Sequence, residues 1–194
     1  MQSLIFFICY IDFILELNNY KLLKLTSKRR STLLPIITTA LGAALIEELI
    51  FRGLVFQAIE KMGGSWIALA LTSLFFGIAH LGNPGAKIVG AFSIAIEAGV
   101  LLGVAFLWRR NIWFIFGLHF IWNTTEGLLG IPVSGHPSTG LFTIEIKGPA
   151  LLTGGEFGLE SSIVPVIISL LITIPMPIFA RRKEHFVSHR QDSK

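Results

Sequence analysis

Two adjacent carboxylates, Glu47 and Glu48, and the guanidinium of Arg52 lie inside the apolar run Ala44-Leu45-Ile46-Glu47-Glu48-Leu49-Ile50-Phe51-Arg52-Gly53. Imidazoles stand in two further apolar runs, as Phe76-Gly77-Ile78-Ala79-His80 and His119-Phe120-Ile121-Trp122-Asn123. A charge at membrane depth costs roughly 2.5–3.5 kcal/mol of insertion energy even on lenient scales, so it is retained where a partner or a function compensates. Glu48 and Arg52 are four residues apart, acid first, and share a helix face, so Glu48 can be neutralised within its own helix. Glu47 is turned by about 100° from Glu48 and has no basic residue one helical turn away in either direction. Its partner must come from another helix. A spacing of four also sets Phe76 beside His80 and stacks His119 with Asn123. A carboxylate, two imidazoles and an amide from different helices can converge on one interior site. Such a set supplies what peptide hydrolysis in a membrane needs: a base to activate water and donors for the oxyanion of the tetrahedral intermediate.

Each group also has a plainer reading. A paired buried charge such as Glu48 with Arg52 fixes a helix interior without chemistry, and Asn123 alone can be interhelical glue. A lone membrane histidine often serves only packing. The joint occurrence with Glu47 favours function, because each run accepts an expensive group. Glu97, in a further run, has no same-helix base and reads as structural or protonated. His136, His185, His189, Glu145, Glu156 and Glu160 fall in loop or tail sequence and are expected to be solvated.

The elements that must position these groups follow from composition. Just over half of the residues are apolar and only 14% are charged, against about 25% in soluble domains, so the chain is a membrane protein. The net charge of +4 comes from clusters at 21–30, Arg109-Arg110 and Arg181-Arg182-Lys183. Clusters beside apolar runs are topology anchors and lipid-headgroup contacts, and they exclude a nucleic-acid surface. The single Cys9 excludes an intramolecular disulfide and a cysteine metal site. The expected fold is all-α, a polytopic transmembrane helical bundle of about five to six membrane segments. They are a short span or interfacial helix from Leu4 to Leu17, then Leu33 to Ile59, Trp66 to Leu81, Ile88 to Trp108, Ile112 to Leu129 and Ile163 to Ala180. Ser65 is placed to cap the third of these, Gly82-Asn83-Pro84-Gly85 breaks the chain after it, and Gly130 to Ser161 is a structured loop. If every run crosses, the basic cluster 21–30 falls on the opposite side from Arg109-Arg110 and the tail, against the positive-inside rule. A re-entrant run removes the conflict, and the shortest interior candidate is Trp66 to Leu81. Trp66, Trp108 and Trp113 sit near run ends as interface anchors. The chain reads as a single membrane-embedded domain, 1–194, with an N-terminal segment and basic loop at 1–30, a core at 33–180 and a polar tail at 181–194.

Glu47-Glu48-x-x-x-Arg52, Phe76-x-x-x-His80 and His119-x-x-x-Asn123, in this order and each in an apolar run, resemble the three signature motifs of the CPBP family, the CAAX-protease and bacteriocin-processing intramembrane proteases also called Abi. Gly99-Val100-Leu101-Leu102-Gly103 through Arg110-Asn111-Ile112-Trp113 to Gly117-Leu118-His119-Phe120 is similar to the family's approach to its third motif. Leu152-Thr153-Gly154-Gly155-Glu156-Phe157-Gly158-Leu159-Glu160 resembles a tail segment of one bacterial subgroup, with Ser161 where that subgroup has glycine. Family members commonly have more crossings before the Glu-Glu helix than the one segment present here, which implies a shortened N-terminal side.

The resemblance implies a multi-pass enzyme, in a bacterial cell membrane, that hydrolyses peptide bonds of membrane-associated peptides or proteins. Glu47 and His80 would activate the water, His119 and Asn123 would hold the oxyanion or complete the water site, and Glu48 with Arg52 would buttress the first helix. Two forms of the chemistry stay open: a glutamate–histidine mechanism, or a metalloprotease in which Glu47, His80 and His119 hold Zn2+ or another divalent ion with a position open for water. Prenylated C-terminal peptides, leader peptides and membrane-anchored regulators all lie within the implied substrate range. The alternative is a non-catalytic membrane interaction protein that gives immunity to a peptide toxin and does not depend on Glu47 or His80. A proton-coupled transporter is a third class, disfavoured because no inverted repeat is visible.

Overall fold

A computed structural model describes residues 22–23, 29–144 and 146–177. The segment Leu4 to Leu17, most of the basic cluster 21–30 and the tail 181–194 lie outside the described residues. The chain is helical, as its apolar runs require. Helix α1 is continuous through three windings: Arg29–Glu48, the π-wound Leu49–Val55, and Phe56–Gly63. It is longer at both ends than the expected Leu33 to Ile59. Pro35 therefore lies inside it rather than at its start, and the hydroxyls of Thr38 and Thr39 donate to carbonyls of this turn, Thr38 to Leu34 O at 2.8 Å. Serine and threonine commonly make such bonds where a proline interrupts a membrane helix.

The helix ends at Gly64, whose φ of 82° turns the chain into α2, Ser65–Ala79, followed by a 3-10 turn, His80–Gly82. Ser65 does not cap α2. It is the first helical residue, and its hydroxyl donates instead to Glu60 Oε1 at 2.5 Å. Glu60 also receives both guanidinium nitrogens of Arg110, at 2.6 and 2.7 Å. This fork ties the α1–α2 turn to the next helix pair and draws the serine away from the helix end.

Helix α3 has the windings Ile88–Ile94, the π-wound Ala95–Val100, and Leu101–Arg109. Helix α4, Ile112–Leu129, begins at Asn111, whose Oδ1 accepts from the amides of Trp113 and Phe114 at 2.9 and 3.2 Å. The described residues of the region 130–161 form no span. They carry a two-residue strand β2, Thr143–Ile144, paired antiparallel with β1, Leu22–Leu23, then a single-turn helix α5, Ala150–Thr153, and two 3-10 turns. Helix α6, Ile163–Thr173, stops short of the expected Ala180: Ile174 still has helical dihedrals, but Pro175 has no N–H with which to continue the helical hydrogen-bond ladder.

Among the described residues, three helices are long and apolar enough to cross a bilayer: Ser31–Gly63, Ser65–Gly82 and Ile88–Arg109. The second is the run singled out above as the re-entrant candidate. Exposed Leu34, Leu54, Ile67, Ile88, Phe92 and Leu171 give the bundle an apolar exterior, as lipid contact demands. Inside, α2 and α3 approach closely along small residues. Ala91, Ala95, Gly99 and Gly103 recur every four positions on α3, facing Leu69, Ser73 and Gly77 of α2. A Cβ at Gly77 would lie 2.3 Å from Ala91 O, and one at Gly99 2.9 Å from Ser73 Cα. The main cluster, with Phe56, Leu69, Leu107 and Ile115 at its centre, lies toward the end of the bundle that carries the Glu60–Arg110 fork. A smaller cluster joins Phe157 of the loop to Phe76 and Ile94.

Candidate active site

The centre of the bundle brings together the polar residues of α1, α2 and α4. Glu48 is fully buried, and its Oε1 accepts two hydrogen bonds, from Arg52 Nη1 at 2.9 Å and from His119 Nδ1 at 2.8 Å. Glu48 therefore has its same-helix partner and, in addition, a link to α4 that spacing along α1 cannot show. Arg52 extends the connection: Nη2 donates to the carbonyls of Ala98 and Gly99, at 3.2 and 3.0 Å, in the π-wound part of α3. Its guanidinium also lies 4.8 Å from the centroid of the Phe76 ring on α2. One buried arginine thus touches every helix that carries a candidate residue or supports one, except α4, which it reaches through Glu48.

Glu47 is different in exposure and partners. Its side chain retains 28% of its accessible area, against 1% for Glu48, although its Oε2 is itself buried. Its Oε2 stands 3.9 Å from His119 Nε2 and makes no hydrogen bond with a described residue. The carboxylate without a local base thus meets an imidazole from α4.

His80 ends α2, where the winding tightens to 3-10. Its Nδ1 is 2.7 Å from Phe76 O, and a carbonyl only accepts, so Nδ1 carries a proton and Nε2 is the nitrogen left for other partners. The Phe76 ring walls the imidazole at 4.7 Å between centroids and lies 6.2 Å from the ring of His119, so both histidines border one aromatic side chain. His80 interacts with Glu47 electrostatically at longer range than His119 does. Asn123 is buried one turn beyond His119 on α4.

Two groups escaped the sequence reading. Glu126 is fully buried on α4. Its spacing from His119 and Asn123, seven and three residues, places it on the same helix face, and that periodicity was the available signal. Glu160, expected to be solvated, is buried. Its Oε2 accepts from Ser134 N and Ser134 Oγ at 2.7 and 2.8 Å, and it interacts electrostatically with Glu47, Glu97 and Glu126. No local pattern foretells this, because the turn that aims Glu160 inward depends on Gly158 at φ 109° packed against Pro132.

A metal requires a tighter set. Among the described residues no group of three or more His, Cys, Asp or Glu side chains is arranged to hold an ion. His119 commits Nδ1 to Glu48, and its remaining nitrogen and Glu47 do not close on a common centre with His80. The residues present do not fit the Glu47–His80–His119 ligand set.

A buried acid–imidazole centre within apolar helices defines a membrane-embedded helical protein with a polar interior site. A model of the family described as type II CAAX prenyl endopeptidase Rce1-like matches residues 29–125, half of the chain. The chain belongs to this family and is, at that level, a CAAX-type protease of the membrane acting on a peptide or protein substrate. The match contains Glu47, Glu48, Arg52, His80, His119 and Asn123 and ends before Glu126 and the loop. No curated protein and no solved structure matches the chain.

Proposed function

We propose that the protein is an intramembrane endopeptidase in which Glu47 is the general base for the attacking water. The observation that carries this reading is the Glu47 side chain, part-exposed as a whole, whose buried Oε2 stands 3.9 Å from His119 Nε2 and makes no hydrogen bond with a described residue. At that separation one water reaches both atoms within ordinary hydrogen-bond distance, about 2.6–3.2 Å. Glu47 takes the proton as the water oxygen bonds to the scissile carbonyl carbon. His119 completes the water site through Nε2, and the Asn123 amide supplies the N–H donor that holds the oxyanion. His80, anchored through Nδ1, keeps Nε2 free to take up a proton and to pass one to the leaving amine. No step is routed through a metal. Glu48 and Arg52 fix α1 against α3.

Substrates are membrane-associated peptides or proteins, with prenylated C-terminal peptides the class that the family description names. The experiment is peptide profiling of membranes from cells expressing wild type or Glu47→Gln at matched protein level. Products present only with wild type support the reading. Identical profiles, with both proteins inserted and folded, overturn it and favour a non-catalytic immunity or interaction protein.

A further inference from the structure

We infer that Glu48 is a positioning residue for the reaction: it acts through His119, setting which ring nitrogen faces the water and which carries a fixed proton. The inference rests on the endopeptidase reading and goes beyond the buttress role of the Glu48–Arg52 pair.

The geometry is directional. Arg52 lies 2.9 Å from Glu48 Oε1 and both side chains are about 1% exposed, so Glu48 is held as a carboxylate and can only accept. His119 Nδ1, 2.8 Å from the same oxygen, must therefore be the donor. With that proton fixed, the ring can present only Nε2 toward Glu47, and it does so at 3.9 Å. A single carboxylate oxygen thus fixes both the tautomer and the rotation of the imidazole. Reacting histidines commonly depend on such an acceptor behind the ring. The acceptor is itself held from α3, because Arg52 Nη2 is tied to the Ala98 and Gly99 carbonyls. Were the pair only a helix buttress, the second acceptor site of Oε1 could have faced any group. It meets the one imidazole that borders Glu47.

Glu48→Gln separates the two roles. The amide keeps the volume, but both bonds end on Oε1, and the uncharged amide oxygen that replaces it is a weaker acceptor for which Arg52 competes with Nδ1. The ring proton is then no longer held at Nδ1, and the tautomer with the proton on Nε2, a donor toward Glu47, gains population. The test has two arms. First, 15N spectra of histidine-labelled protein in nanodiscs, with His119 assigned by difference against His119→Gln, should show the Nδ1-protonated pattern in wild type and its loss in Glu48→Gln. An unchanged pattern overturns the inference, and this arm needs no activity. Second, on whichever peptide the wild type cleaves, Glu48→Gln should lower kcat at least about tenfold with little change in KM. In a His119→Gln background Glu48→Gln should cost nothing further. Full multiplication of the two losses means that Glu48 acts independently of His119 and refutes the inference even if Glu47 is the base. Failure of the endopeptidase reading would appear instead as unchanged profiles with Glu47→Gln.

Discussion

Arg52→Met tests how much of the bundle hangs on one buried cation. The substitution keeps a long apolar stem but removes the guanidinium that meets Glu48 at 2.9 Å and the carbonyls of Ala98 and Gly99 at 3.2 and 3.0 Å. Leaving a buried charge without its partner costs about 3–5 kcal/mol. Two carbonyls that lose a charged donor add roughly 1 kcal/mol or more. The sum, about 4–6 kcal/mol, is a large part of the roughly 5–15 kcal/mol that usually holds a protein of this size together. At about 2–4 °C per kcal/mol, the midpoint should fall by roughly 10–20 °C. Thermal unfolding in detergent micelles, followed by circular dichroism and by loss of monomer on gel filtration, reads this directly. The cost is assigned to charge rather than to volume, so Glu48→Gln added to Arg52→Met should recover a good part of the loss, since removing both partners leaves no orphaned ion. A single variant within about 1 kcal/mol of wild type, or a double variant no more stable than the single, would refute the reasoning.

The α2–α3 contact offers a steric test: Gly77→Val should destabilise by about 1–3 kcal/mol or more and should depress cleavage further, because the obstacle is the Ala91 carbonyl and α2 must move with His80 on it. Gly42→Val, where an added Cβ meets nothing within 4 Å, is the matched control and should leave the midpoint unchanged in the same melt. Since the described residues gather no three-donor metal set, peptide cleavage should survive dialysis against a strong chelator; a loss reversed by one divalent ion would show that the donors regroup around a metal. At the helix start, Asn111→Ala removes the oxygen that accepts from Trp113 N and Phe114 N and should cost about 1 kcal/mol, seen as a lowered midpoint with cleavage retained.

Features whose cause is local or one-dimensional are legible in the residue order alone. Apolar runs bounded by glycine, proline and basic residues gave the helices. A spacing of four gave the Glu48–Arg52 pair and the Phe76 wall of His80. The cost of an unpaired carboxylate among leucines and isoleucines marked Glu47 as a residue in need of a partner from elsewhere. The helix limits were less legible. Residues up to Gly63 joined α1, where Glu60 is forked by Arg110 from a distant helix end, and Ser65 spent its hydroxyl on that same glutamate instead of on a cap.

Which histidine stands beside Glu47 follows from helix packing and not from the residue order. Spacing along a helix fixes a face but not the rotation of one helix against another, and the closest approach, His119 Nε2 to Glu47, depends on how α1 packs on α4. The second acceptor role of Glu48, the reach of Arg52 to α3 and the inward turn of Glu160 have the same origin. Each joins residues far apart in the chain, through π-wound or glycine-turned backbone, and no pattern of neighbours in sequence encodes such a contact.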